Sequence, residues 1–318
     1  MKRRRFLEDM ETHGTSMAEG VSRRLLLTGA FAAGVTVMAA RSARAADPPQ
    51  RTGKPLIRAG IAAYSYRDRL TGKAKPQMTM HDFVSQAALD GWDGLEQTTY
   101  DIQTPVTAAY LADLKRTCFI HGLTVSASSV GNVFTHPAGE ARDREIEKVR
   151  TWLGHAQALG APVLRVFAGT PQPNQPPEEA ERCCIECLEA CCDRAAETGV
   201  MLGLENHGGI VAESSGIIRI IRAVKSDWCG INLDTGNFRT DDPYADMAAC
   251  APYAVTTHLK TEVHPRNGPK HPADVRRIVE ILRSAGYRGF LTLEYEGSEP
   301  VDQAAPKALA AIRKATAA

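Results

Sequence analysis

Four side chains that can bind one metal ion lie at corresponding places along the chain, each near the end of an apolar, strand-like run. They are Glu205, Asp234, His258 and Glu294. Intervals of 29, 24 and 36 residues separate them, and each has room for a strand, a loop and a helix. Because such repeating units bring the carboxyl ends of parallel strands to one face, we expect one site. Three carboxylates and one imidazole favour a divalent cation, which we expect to be Mn2+, with Mg2+, Co2+ or Zn2+ as alternatives.

The chain contains eight strand-like runs, and the four side chains end the last four of them. The runs are separated by apolar residues at helical spacing, as in Ile146, Val149 and Leu153. Several helices are predicted to end at glycines, as in LGAPV and TGVML. This alternation predicts an α/β fold, a single-domain (β/α)8 TIM barrel. The predicted strands are roughly Leu56–Ala63, Gly94–Glu96, Thr124–Ala127, Val163–Phe167, Val200–Glu205, Gly230–Asp234, Ala254–His258 and Phe290–Glu294.

The first 45 residues are predicted to be a twin-arginine signal peptide rather than part of the fold. Arg23 and Arg24 precede a weakly apolar stretch, and Ala43-Arg44-Ala45 offers a cleavage site with small residues. The apolar stretch is short of the roughly 20 residues that span a bilayer. We therefore expect export to the periplasm, no membrane attachment after cleavage, and a barrel domain over residues 46–318, close to the roughly 250 residues typical of the fold.

The net charge and the cysteine pattern indicate which partners and metal sites the chain is expected to have. The net charge is +1, and no basic segment of the mature chain indicates a nucleic-acid partner. Five of the eight cysteines crowd into one predicted helix, ERCCIECLEACC. Because they lack the paired spacing of a zinc finger, we expect buried structural thiols, with a thiolate metal cluster as the alternative.

Several short motifs, in their order and spacing, resemble the xylose-isomerase-like barrels of the sugar phosphate isomerase/epimerase superfamily. They are YSYRD, GWDGLE, ENHGG, LDTGN, THLK and GYRGFLTLEYE. The resemblance runs from about residue 57 to the C-terminus. It implies a divalent cation held by Glu205, Asp234, His258 and Glu294, with Glu296 as a competing ligand, and a small carbohydrate as substrate. A homo-oligomer is compatible with this resemblance.

The resemblance also implies the chemistry, which is proton abstraction next to a carbonyl through an enediolate. Glu205 and Glu294 would exchange the proton. The same intermediate can expel a leaving group, so a keto-sugar or 3-keto-glycoside lyase or dehydratase is the alternative. A non-catalytic, metal-dependent carbohydrate-binding barrel is a third possibility. The substrate-binding candidates are Lys260, His207, Glu96, Arg165, Tyr64, Asn237 and Arg266.

Two departures from relatives with this fold limit the assignment. Ketose epimerases of this group carry a histidine three residues after the strand-six aspartate, where this chain has Asn237. DNA-repair endonucleases of the same fold need further histidines for a three-metal site. Glu96, Ala127 and Asn237 stand near the expected places, which argues against a nuclease.

Overall fold

A computed structural model describes residues 47–99 and 105–317 of the chain. Eight parallel strands form a barrel, and we number them one to eight in chain order. All eight strands predicted from the sequence are present, with ends shifted by one or two residues. Their bounds are Leu56–Ala62, Gly94–Thr98, Thr124–Ser129, Val163–Val166, Met201–Glu205, Cys229–Asp234, Ala254–Leu259 and Arg288–Leu293.

Strand one closes the barrel because it pairs with neighbours on both sides. Leu56 lies opposite Arg288 at the start of strand eight, and Ala62 lies opposite Glu96 in strand two. The remaining strands pair in chain order. The predicted (β/α)8 TIM barrel is confirmed.

Helices alternate with the strands and cover the barrel. Local signals set several of their ends: Thr79 and Asp82 form a reciprocal capping box at the start of the second helix, and Gly160 and Gly199 end two long helices in the left-handed conformation. The helices are α1 Arg67–Leu70, α2 Met80–Asp90, α3 Ala108–Ile120, α4 Glu140–Leu159, α5 Pro177–Thr198, α6 Ser214–Ala223, α7 Pro243–Cys250, α8 Val275–Ser284 and α9 Val301–Ala317.

The loop after strand seven contains a small antiparallel hairpin that the sequence did not predict. Glu262–Val263 pairs with His271–Pro272. The hairpin begins two residues after Lys260 and, with Lys260, lines a cavity beside the predicted metal ligands.

All eight cysteines are buried and free. Those of α5 lie on the face that packs into the hydrophobic core, together with Leu188 and Ala195. The four predicted metal ligands form the one cluster of metal-binding side chains found among the described residues. The cysteines therefore pack as small apolar side chains.

None of the described helices is both long and apolar enough to span a bilayer. The signal peptide predicted for residues 1–45 lies outside the described residues, so its assignment stays a prediction.

Candidate metal centre

Four strands bring their end residues together at the carboxyl-terminal face of the barrel. Glu205 and Asp234 are the last residues of strands five and six, His258 lies in strand seven, and Glu294 directly follows strand eight. One ligand atom from each lies within 4.8 Å of all the others. All four residues are buried, so a cation bound there would be largely shielded from bulk water.

The geometry of this cluster fits a divalent cation. His258 Nδ1 lies 3.4 Å from Glu294 Oε2, 3.6 Å from Glu205 Oε2 and 3.9 Å from Asp234 Oδ2. Asp234 Oδ2 is fully buried yet accepts no hydrogen bond from the described residues. A buried, unsatisfied carboxylate oxygen is costly unless an ion or another donor meets it. The three carboxylates and the imidazole are a donor set suited to Mn2+, Mg2+, Co2+ or Zn2+.

His258 is held from its other side by Glu96. His258 Nε2 lies 2.8 Å from Glu96 Oε2, and both side chains are fully buried. Glu96 was predicted to contact substrate. The structure places its buried carboxylate against the imidazole of His258, one of the four predicted metal ligands.

Arg165, from strand four, contacts Glu205, another of the four predicted metal ligands. Its Nε lies 3.1 Å from Glu205 Oε2, and both side chains are almost completely buried. The guanidinium lies 3.9 Å from the centre of the Phe167 ring. On that ring the imidazole of His207 also packs, with centroids 4.7 Å apart. Arg165 therefore adjoins the metal cluster directly, whereas His207 is exposed and is connected to it through Phe167.

Amide side chains fix the orientation of the glutamate and aspartate. Asn237 donates its Nδ2 to Glu205 Oε1 at 3.1 Å. Asn206 binds the main chain of Asp234 through both its amide atoms, at 2.8 and 2.9 Å. Asn232 Nδ2 lies 3.1 Å from Glu205 Oε2 and 3.2 Å from His258 Nδ1. Asn232 was not predicted, although strand alternation marks it, since it lies two residues before Asp234 and on the same face.

Lys260 places a second positive charge beside the cluster. Its Nζ lies 2.5 Å from Glu294 Oε2, 2.8 Å from Glu296 Oε2 and 3.6 Å from Asp234 Oδ2. Glu296 is 45% exposed on its side chain, against 7% for Glu294. Glu294 is therefore the residue that faces the buried cluster, and Glu296 lies at its solvent edge.

The charged groups of the cluster strongly shift one another's pKa values. Burial raises the pKa of Glu205 and raises that of Asp234 to about 7, because their charged forms lose water, although nearby cations oppose both shifts. Burial also opposes ionisation of Glu294, but His258 and Lys260 outweigh it and hold its pKa well below the usual range. The carboxylates of Glu294 and Glu96 likewise hold the pKa of His258 well above its ordinary value, against the effect of burial.

The remaining predicted site residues lie farther out. Tyr64 is half-buried, and burial, followed by the charge of Glu296, raises the pKa of its phenol. Its ring packs under the guanidinium of Arg67 at 4.7 Å. Arg266 is exposed and pairs with Glu213, and the structure does not bring it to the four ligands.

A small cavity opens beside the cluster, at the mouth of the barrel. It has a volume of about 160 Å³ and is lined in part by Lys260, Glu296, Asn237, Arg239 and His264. The hairpin after strand seven supplies Glu262 to its wall. A small molecule that enters the cavity would meet Lys260 and Asn237, each of which bonds a glutamate of the cluster.

Solved structures share this architecture at low sequence identity. The xylose isomerase domain protein of Planctomyces limnophilus is 17% identical, with a TM-score of 0.63 over 83% of this chain and 99% of that protein. D-psicose 3-epimerase of Clostridium cellulolyticum H10 is 15% identical, with a TM-score of 0.68 over 82% and 99%. The 3-keto-D-glucoside 4-epimerase of E. coli is 17% identical, with a TM-score of 0.63 over 81% and 99%. These likenesses show a common fold.

No curated protein matches the chain significantly by sequence. The sequence profile of one family, described as a xylose isomerase-like TIM barrel, matches residues 84–315. The match spans strands two to eight and includes all four residues of the buried cluster. The chain therefore belongs to the xylose isomerase-like TIM barrel family.

Proposed function

We propose that the protein is a divalent-metal-dependent carbohydrate isomerase or epimerase. One observation carries the proposal: two glutamates, Glu205 and Glu294, converge with Asp234 and His258 in a buried cluster whose ligand atoms lie within 4.8 Å of one another. Such a cluster combines a cation site with two groups able to move protons. The family and the sugar epimerases among the structural neighbours support a sugar substrate.

The side chains would have the following roles in the reaction. Glu205, Asp234, His258 and Glu294 would hold the cation, which would supply Lewis-acid polarisation of a substrate carbonyl. One glutamate takes the proton from the carbon next to that carbonyl, leaving an enediolate. In an epimerase the other glutamate returns a proton to the opposite face, whereas an isomerase returns it to the neighbouring carbon. Lys260 stands beside Glu294, where its ammonium would stabilise negative charge on a substrate oxygen.

Asn237 favours a second candidate reaction. Its amide bonds Glu205 at the place where ketose epimerases of this group carry a histidine. The enediolate can then lose a leaving group from the β-carbon, with the electron pair forming a carbon–carbon double bond and a proton passing to the departing oxygen. This is the reaction of a lyase acting on a keto-sugar or 3-keto-glycoside.

Deuterium exchange tests the proposal and separates the candidates. Protein loaded with Mn2+ is incubated in D2O with a panel of ketoses and 3-keto-glycosides, and products are followed by NMR and mass spectrometry. Deuterium at the carbon next to the carbonyl in an epimer or isomer supports the first reaction, and a released alcohol or sugar supports the second. Asp234→Ala, which removes a ligand, serves as the metal-poor control. Sugar binding without exchange would overturn catalysis in favour of a carbohydrate-binding barrel.

We propose further that the protein is exported by the twin-arginine route to the periplasm. Arg23, Arg24 and the small residues before Ala46 support this. Cell fractionation with N-terminal sequencing should find a mature chain that begins near Ala46 outside the cytoplasmic membrane. Replacing both arginines by lysine should retain the precursor in the cytoplasm. An intact N-terminus on cytosolic protein would contradict the proposal.

A further inference from the structure

The buried contact between Glu96 and His258 carries a role beyond those of the four ligands. We propose that Glu96 is a positioning residue: it fixes the ring orientation of His258, so that Nδ1 faces the carboxylates of Glu205, Asp234 and Glu294. The inference rests on the proposed metal site, because it assigns to Glu96 the task of preparing one ligand for it.

The two ring nitrogens of His258 have different surroundings. Nε2 lies 2.8 Å from Glu96 Oε2, within hydrogen-bond distance of a carboxylate oxygen. Nδ1, on the other side of the ring, lies 3.4 to 3.9 Å from carboxylate oxygens of Glu205, Asp234 and Glu294. The contact with Glu96 therefore holds the ring in the orientation that turns Nδ1 towards the cluster. A metal-binding histidine needs that arrangement.

The backbone of strand two is adapted to this contact. Between Leu95 and Glu96 the pairing of strands two and three shifts register. Such an irregularity re-aims the side chains that follow it. Here it accompanies a carboxylate that reaches into the barrel and meets a histidine 162 residues later in the chain.

The energetics of Glu96 also favour a role in the site over one in packing. The residue is fully buried, and its second oxygen, Oε1, accepts no hydrogen bond from the described residues. An apolar side chain of similar size would avoid the desolvation of that oxygen. A carboxylate at this position therefore lowers stability, and its contact with His258 is the structural reason for its presence.

The test compares Glu96→Leu and Glu96→Gln with Gln97→Leu. Gln97 is the matched control because it follows on the same strand, is equally buried and contacts Cys118 instead of the site. Mn2+ affinity is measured by isothermal titration calorimetry, and folding is checked by thermal unfolding. Loss of such a contact typically weakens metal binding 10–100-fold. We expect that loss for Glu96→Leu, a smaller one for Glu96→Gln, whose amide oxygen can still accept, and wild-type affinity for Gln97→Leu.

The conservative variant gives a readout that a merely structural role would not move. Glu96→Gln keeps a side-chain oxygen that can accept a hydrogen bond from Nε2, whereas Glu96→Leu does not. Glu96→Gln should therefore recover part of the Mn2+ affinity that Glu96→Leu loses, whatever the order of the melting temperatures of the two variants.

The outcomes distinguish a failure of the positioning role from a failure of the proposed function. Unchanged Mn2+ affinity in folded Glu96→Leu, or equal losses of affinity in Glu96→Leu and Glu96→Gln, overturns the positioning role and leaves the proposed function intact. Equal losses of affinity in Glu96→Leu and Gln97→Leu also overturn it, because they indicate general damage to strand two. Failure of the wild-type protein to bind any divalent cation overturns the proposed function, and with it this inference.

Discussion

Glu294 and Glu296 lie only two residues apart, yet the structure gives them different surroundings. Strand eight ends at Leu293, and Glu294 then turns into the buried cluster, 3.4 Å from His258 Nδ1. Glu296 contacts Lys260 from the solvent edge and lies against the mouth of the cavity. Two carboxylates of the same type are therefore assigned different tasks by position alone.

Substituting these glutamates should separate those tasks. Glu294→Gln keeps an oxygen donor but removes the base and weakens the ligand, and loss of general acid–base catalysis costs about 10²–10⁴-fold in rate. Glu205→Gln should behave in the same way. Glu296→Gln should lower kcat far less and leave metal content near that of the wild type. Steady-state kinetics with metal analysis checks this. An inactive, metal-poor Glu296→Gln beside a normal Glu294→Gln would reverse the assignment.

At the scale of the elements, Gly94 in strand two and Gly154 in α4 differ in the space around them. A Cβ at Gly94 in strand two would lie 2.5 Å from a ring carbon of Phe290 and 2.7 Å from the carbonyl oxygen of Thr124. A Cβ at Gly154, inside α4, would lie 3.4 Å from the flexible end of Arg194. The first site is closed by backbone and an aromatic ring, and the second is not.

The two Gly→Ala variants should therefore change stability in opposite directions. Overpacking costs roughly 1–3 kcal/mol, so Gly94→Ala should lower the free energy of unfolding by about that amount. Gly154→Ala should raise it by about 0.5–1 kcal/mol, since alanine restricts the unfolded chain and favours the helix. Urea unfolding measures both. A neutral Gly94→Ala would mean that strand two can move away from strand eight.

The thiols of α5 make the protein sensitive to alkaline pH. Burial raises the pKa of Cys187 and Cys191 to about 12 and that of Cys192 to about 11. The folded protein therefore keeps protons that the unfolded chain releases above about pH 8.5. Stability should be complete below that pH and should fall as the pH rises towards 11 to 12.

Two measurements check this expectation. At pH 8 iodoacetamide should label the cysteines of urea-unfolded protein and leave those of the native protein unmodified. The midpoint of urea unfolding should fall between pH 8 and pH 10, and Cys191→Ala should reduce that fall by removing one titrating thiol. Rapid labelling of native Cys187 or Cys191 at pH 8 would show that α5 opens or that its thiols ionise readily.

Features that depend on local sequence could be predicted, whereas features that depend on contacts between distant residues could not. Strands buried on both faces leave apolar runs bounded by glycine-ended helices, so all eight strands could be predicted. The hairpin of Glu262–Val263 with His271–Pro272 has two residues a strand and shows no periodicity. The convergence of Glu205, Asp234, His258 and Glu294 could be predicted because each lies at or next to the carboxyl end of a strand. The contact of Glu96 with His258 could not, because it depends on barrel closure and on a register shift in strand two.

At the scale of the whole molecule, a cation in the proposed site would join four strands that are otherwise linked by backbone pairing. A cation that binds only the folded state at 100 times its dissociation constant adds about 2.7 kcal/mol of stability. For a domain of this size each kcal/mol raises the Tm by about 2–4 °C. The contribution of the cation should therefore be visible in a melting curve.

Removal of metal should lower the Tm by several degrees. Thermal unfolding is measured after chelation and again after Mn2+ is restored. In Asp234→Ala, which lacks one ligand, the two curves should nearly coincide. Coincident curves for the wild type, together with elemental analysis that finds no bound metal, would contradict the site.

Closure of the barrel by strand one has a consequence for biosynthesis. Strand one bonds to strand eight from Leu56 opposite Arg288 to Ile61 opposite Leu293, so the ring of strands lacks its last member until translation has passed Leu293. Until then strands one and seven have unpaired edges, which are the usual sites of association between chains. A nascent chain interrupted before Arg288 would lack strand eight and Glu294, and we expect it to associate with other chains through those two edges.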